Sequence, residues 1–180
     1  NALVTLSWSP PSSTGGSAVT GYVVTPYVGT TAQSARSFNS TATTQTITGL
    51  TNGTTYSVKV RAANTLGDGA ESAPVSGKPH TIPGAPTALW IDEGNTGFAV
   101  HFTPPASDGG DTIIRYDYQL VVDDFDAATI PDFTGASWIT TGSLEGNSLG
   151  FGGLTNGTQY AVRLRAVNGA GNGPASDYAV

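Results

Sequence analysis

Hydrophobic and polar positions alternate along this chain in short runs that punctuation residues cut off. Val4, Leu6 and Trp8 alternate with Thr5 and Ser7 until Pro10-Pro11, and Phe98, Val100 and Phe102 alternate with Ala99 and His101 until Pro104-Pro105. A period of two belongs to a strand with one buried face, and proline cannot donate to a ladder, so each run predicts a strand that stops at its proline pair. The runs match at an offset of 94 residues, from Trp8 to Phe102, and the same offset carries Tyr22 to Tyr116. Farther on, Leu50-Thr51-Asn52-Gly53-Thr54-Thr55-Tyr56 matches Leu154-Thr155-Asn156-Gly157-Thr158-Gln159-Tyr160 at an offset of 104. Asn-Gly supplies turn residues that tolerate positive φ, and the tyrosine opens a new strand. After the tyrosines, Val58, Val60 and Ala62 in one copy and Val162, Leu164 and Ala166 in the other fall on one side. Lys59, Arg61, Arg163 and Arg165 fall on the opposite, outward side. There Asp117 is expected to pair across strands with Arg163 or Arg165. The step from 94 to 104 predicts a ten-residue insertion between about 121 and 148 in the second copy.

A period near 100 residues is too long for a solenoid repeat of about 20 to 50 residues and fits a whole domain repeated in tandem. The expected organisation is a first domain over 1–78, a Pro-rich linker over 79–85 and a second domain over 86–180. Closely spaced prolines favour a semi-extended connector there. Leu89 and Ile91 alternate with Trp90 and predict an opening strand for the second domain, whereas nothing equivalent precedes Leu3. The first domain is therefore expected to lack its opening strand and to leave an edge exposed. The chain, which starts without methionine, reads as a piece of something longer.

Composition narrows the function classes. The 180 residues carry 7 Lys+Arg against 13 Asp+Glu, a net charge of −6, and no cysteine. A thiolate nucleophile and a thiolate zinc site are thereby excluded. An acidic chain without a basic tract lacks the phosphate-neutralising surface that nucleic-acid binding needs. No apolar run approaches the roughly 20 residues of a membrane span, so no membrane insertion is expected from this segment. Charged residues make up only 11 % of the chain, so hydroxyls and amides share the work of solubility. That balance suits a secreted or cell-surface, extracellular module.

Short alternating strands, a Trp in the second strand, a Tyr in the third and Leu-x-x-x-x-x-Tyr before the sixth resemble the fibronectin type III family. The resemblance covers nearly the whole chain and implies an all-β fold of two immunoglobulin-like, seven-stranded β-sandwiches in tandem. It implies that Trp8 packs on Tyr22, that Phe102 replaces that Trp against Tyr116, and that the corner tyrosines Tyr56 and Tyr160 bond to backbone just upstream. Asn64-Thr65-Leu66-Gly67-Asp68-Gly69 and Asn168-Gly169-Ala170-Gly171-Asn172-Gly173 are similar to the family's loop before the last strand. The Thr/Ser/Gly-rich strands and Ser137-Trp138-Ile139-Thr140 resemble bacterial members, which implies a setting in extracellular polysaccharide-degrading enzymes or large surface proteins. The Arg-Gly-Asp tripeptide of some animal members is absent. Fold analogy alone carries no function.

Candidate chemistry is sparse. The insertion gathers Asp123, Asp124, Phe125, Asp126, Asp132, Phe133 and Trp138. Clustered carboxylates suit calcium, but Ala128 stands where a further ligand is needed and no glycine follows in place. A solvated loop with Phe125, Phe133 and Trp138 partly packed on the sheet explains the segment without a metal. Trp90 and Trp138 lie off the core alternation; they suit a sugar-stacking platform, or packing against each other or at the domain junction. Neither His80 nor His101 has an acidic or nucleophilic partner placed by the sequence, and a Ser-His-Asp site needs three residues from separate elements. The Gly-rich loops precede strands and match no phosphate cradle. Sequons occur at Asn39, Asn52 and Asn156, two of them within the Asn-Gly corners. The sequence thus predicts no catalytic residue, metal or cofactor, and a spacer and interaction segment of a larger secreted or cell-surface protein. Its partners are neighbouring domains and either a polysaccharide or a surface protein. The alternatives are a carbohydrate-binding accessory module using Trp90, Trp138, Asp123, Asp124 and Asp126, and a protein-binding adhesin segment. The latter would use the loops around Gly15-Gly16 and Gly109-Gly110 and the two late Gly-rich loops.

Overall fold

The computed structural model describes residues 2–123, 130–141 and 146–180. Its elements are all strands, and the chain divides into two compact units, Asn1–His80 and Thr81–Val180. The first unit holds β1 (Val4–Ser7), β2 (Gly21–Val28), β3 (Thr31–Ala32), β4 (Arg36–Phe38), β5 (Thr44–Ile47), β6 (Tyr56–Asn64), β7 (Gly67–Asp68) and β8 (Val75–Gly77). Strand β1 pairs with β5 alone, while β2 and β6 form the centre of the larger sheet, flanked by β3, β4, β7 and β8. The second unit holds β9 (Thr87–Gly94), β10 (Gly97–Thr103), β11 (Arg115–Val122), β12 (Ile139–Thr140), β13 (Ser148–Gly152), β14 (Tyr160–Asn168) and β15 (Gly171–Ala179). Its sheets run β13-β10-β9 and β12-β11-β14-β15. All pairings in both units are antiparallel.

The inward residues of the alternating runs meet between the sheets. Leu6, Tyr22, Val24, Ile47, Leu50, Tyr56, Val58 and Val60 close the first core, with Trp8 and Phe38 against it. Val100, Phe102, Tyr116, Leu149, Val162, Leu164 and Ala166 close the second. Trp8 meets Tyr22 edge-on at 5.0 Å between ring centroids, and Phe102 meets Tyr116 at 4.6 Å. At each corner the tyrosine hydroxyl accepts a backbone N–H five residues upstream, Thr51 to Tyr56 at 3.0 Å and Thr155 to Tyr160 at 3.2 Å. Gly53 and Gly157 supply the left-handed turns, at φ 80° and 78°.

Two features concern the first unit's edge and the segment between the units. The first unit has no counterpart of β9, so one edge of β1 is unpaired among the described residues, as the missing opening strand predicts. In the segment expected as a connector over 79–85, several backbone groups take partners in the units. Gly53 donates to the Pro79 carbonyl at 2.9 Å; on the other side Thr81 donates to Gly109 and Gly84 to Ser107, each at 2.9 Å. Pro83 and Pro86 are fully buried. Backbone groups held against a sandwich take partners there instead of staying solvated. Gly109 permits the approach, because a Cβ on it would run into the Thr81 carbonyl.

Candidate functional site

The hairpin of β9 and β10 turns through Asn95 and Thr96, with Gly94 opposite Gly97. Thr96 takes φ 57°, an unusual conformation for a β-branched residue, and its N–H is held by the Asn156 side-chain oxygen at 2.9 Å. This short turn sets a register in which His101 lies opposite Trp90 on β9 and Ser148 on β13, with Ala99 opposite Asp92 and Gly150. Since Val100, Phe102 and Leu149 point into the core, alternation sends Trp90, Asp92, His101 and Ser148 to the outer face.

Three of these side chains form one assembly. The Trp90 indole stacks on the His101 imidazole at 5.1 Å and 12°. His101 Nε2 lies 2.8 Å from Asp92 Oδ2. The acidic partner that the sequence does not assign to His101 is thus the diagonal neighbour on β9. Trp90 keeps 52 % of its surface exposed, and the Asp92 side chain keeps 69 %. On β13, the far strand of this sheet, Gly150 and Gly152 are exposed, and a Cβ built on either meets open space.

The outer face of β11 and β14 is built differently. Asp117 is 1 % exposed and accepts from Arg115 Nε at 3.0 Å and from Arg165 Nη2 at 2.9 Å. Arg163 donates to Gln119 Oε1 at 2.6 Å, and Gln119 in turn donates to the Ala136 carbonyl. Over this network lie side chains of the insertion, with Trp138 4.3 Å from the Arg165 guanidinium and Phe133 4.3 Å from that of Arg163. Of the expected pairings of Asp117 with Arg163 or Arg165, the one with Arg165 is formed, and the face around it is not open to solvent. Cation–π contacts and the buried carboxylate turn it into a covered layer.

The two candidate tryptophans therefore stand on the outer faces of opposite sheets. They form neither a joint platform nor a mutual contact. Phe133 is buried and Trp138 half-buried on the sheet, as the packed-loop expectation has it. Asp123 is half-buried, and its N–H donates to the Gln159 carbonyl at 2.9 Å. Asp124, Phe125, Asp126 and Ala128 lie outside the described residues. Among the described residues no group of three or more His, Asp or Glu is placed to hold a metal ion. Asp132 accepts from Thr134, whose hydroxyl and N–H hold its carboxyl below the ordinary carboxylate range.

Two asparagine pairs that the sequence places in turns and loops carry structural bonds it does not assign. Asn168 is 3 % exposed and donates to the Thr81 and Asp108 carbonyls, each at 2.7 Å, while its oxygen accepts from Ala170 and Gly171. Asn64, its counterpart at the 104-residue offset, donates to Thr14 at 2.8 Å and accepts from Leu66. Asn52 and Asn156 tie the corners, the former accepting from the Ala2 N–H at 2.9 Å. The recurrence of both asparagines at one offset is the signal that finds them. Beside Asn64 the loops of the first unit enclose an open hollow of about 460 Å³ under Leu66, which is 76 % exposed. A second, of about 490 Å³, lies at the corner of the second unit near Ile91, Phe98 and Tyr160.

A profile of the fibronectin type III domain matches residues 1–78 and 84–180. The chain belongs to the fibronectin type III domain family. Along this pair of fibronectin type III domains, Endoglucanase B of Cellulomonas fimi is 34 % identical over 178 residues, 93 % of this chain and 15 % of that protein. A protein sidekick homolog of Caenorhabditis briggsae is 33 % identical over 177 residues, 96 % of this chain and 7 % of that protein. The pair thus spans a small fraction of the length of these curated relatives. A two-domain fibronectin type III segment of chicken tenascin matches with a TM-score of 0.45 and 18 % identity, covering 97 % of this chain and 89 % of that one. No helix among the described residues is long and apolar enough to cross a membrane.

Proposed function

We propose that this fibronectin type III pair is a non-catalytic spacer and interaction segment of a larger secreted or cell-surface protein. One observation carries the reading: nearly the whole chain is shared with proteins of unlike names, an endoglucanase and a sidekick homolog, and makes up 15 % and 7 % of them. A part common to such different proteins is suited to hold and present other parts rather than to perform either named activity. Two separately closed cores and asparagine-tied loops give it the stiffness for that role. The loops around Gly15-Gly16 and Leu66, open to solvent beside their hollow, offer one surface for a protein partner.

The test is turnover by the 180-residue chain alone on panels of glycosides, esters and peptides. No turnover above buffer is expected. Turnover that travels with the folded protein and disappears on denaturation overturns the reading.

A further inference from the structure

We infer that the outer face of β9 carries a glycan-binding platform, where a pyranose ring of a neutral polysaccharide stacks on the face of Trp90 turned away from His101. The inference rests on the interaction-segment reading and gives that segment a ligand class.

The first argument is the state of the ring. A half-exposed tryptophan usually keeps several rotamers in play, and binding must freeze them at a cost. Trp90 is already held, since one face of the indole lies on His101 and His101 is fixed by Asp92. What remains exposed is a fixed, flat aromatic surface, suited to the C–H faces of a sugar ring.

The surroundings supply the second argument. Asp92 is exposed two positions along the same face of β9 and can accept from sugar hydroxyls. The apolar part of this outer face is little more than one indole, far below the roughly 800 Å² per partner of a stable protein interface. One aromatic ring rimmed by polar groups has the dimensions of a sugar subsite.

Charge decides the kind of glycan. The protein carries a net charge of −6, and the carboxylate of Asp92 stands at the site. Uronate, sulfate and phosphate groups are repelled there, whereas a neutral chain is not. Trp138 has no part in the platform, because it lies on the opposite sheet over Arg165.

The experiment is affinity electrophoresis of the 180-residue chain in native gels. The gels carry hydroxyethylcellulose, xylan, mixed-linkage β-glucan or galactomannan, with pectin and carboxymethylcellulose as acidic controls. The chain is expected to be retarded by at least one neutral polymer. Trp90→Ala should weaken that by about tenfold or more, Trp90→Phe should restore part of it, and Trp138→Phe should leave it unchanged. Thermal midpoints of all variants are measured alongside, so that lost binding is separated from lost fold. Absence of retardation by every neutral polymer overturns the inference, as does equal retardation of a folded Trp90→Ala variant, or retardation by the acidic controls alone. Such a failure, joined with absence of turnover, removes this ligand and leaves the spacer role standing; turnover removes the role itself.

Discussion

Asp117 is a carboxylate on the outward side of a strand that has nevertheless left water. Alternation gives it a place opposite Arg165, and the two do pair, at 2.9 Å. Its burial depends on Trp138 and Phe133, which reach back over the arginines from an insertion whose path no short-range pattern encodes. The pairing and the packing of Phe133 and Trp138 on the sheet were therefore legible in the sequence, and the burial of the carboxylate beneath them was not. Removing one partner of a buried ion pair strands the other charges. Asp117→Ala is expected to destabilise the second unit by about 3 kcal/mol, below the top of the usual range because Arg115 is a third exposed. Urea denaturation followed by fluorescence measures it, and a loss near zero would mean that the arginines find water without the carboxylate. The corner tyrosines make a second residue-scale contrast. Tyr56 is 6 % exposed, whereas Tyr160 is half-buried. Losing a hydroxyl whose partner N–H is then left dry costs more than losing one that water replaces. Tyr56→Phe should cost about 1 to 1.5 kcal/mol and Tyr160→Phe under about 1 kcal/mol, with the order of the two as the decisive result.

At the scale of elements, the strands were readable because their period of two is written into consecutive residues, and the repeat made the reading twofold. The assembly of Trp90, Asp92 and His101 was not readable. It depends on which residue of β9 faces which residue of β10, and a shift of one position sends every side chain to the other face. That register is set by a turn through Asn95 and Thr96, where a threonine sits in a conformation typical of glycine or asparagine. Another cross-strand cluster yields a pH prediction. On the first unit's larger sheet, Lys59 of β6 donates to Glu71 at 2.9 Å and Tyr27 of β2 donates to it at 3.1 Å. The hydrogen bond from Lys59 first, and that from Tyr27 second, hold the Glu71 carboxyl below its ordinary value. A depressed carboxylate contributes stability that is present above its unfolded-state value and is lost as pH falls through the folded-state value. Glu71→Gln should lower the midpoint of the first unit slightly at pH 7, and the difference from the parent should begin to shrink as pH falls below the unperturbed Glu value of about 4.3 and vanish once the folded-state carboxyl is protonated. A difference that persists in acid would show that packing, not charge, connects these strands.

At the scale of the whole molecule, the offsets of 94 and 104 residues already gave two domains, and the structure gives each its own core. Neither core contains a residue of the other unit. Calorimetry on variants tests that separation. Leu164 and Ile47 are both fully buried, one in each core. Each change to Ala is expected to cost about 2 to 5 kcal/mol and to move one unfolding transition while leaving the other in place. A common shift would mean that the units melt as one. Function was the least legible level, because a sandwich presents its ligands on outer faces and loops, where sequence pattern places fewest constraints.

The backbone bonds around Pro79 and Thr81 also set where this gene can be cut. A fragment ending at residue 78 gives up the Pro79 carbonyl that receives Gly53, and one beginning at residue 84 gives up the Thr81 bonds to Gly109 and from Asn168. For anyone shuffling these modules into another protein, a seam after His80 keeps these named bonds within their own halves.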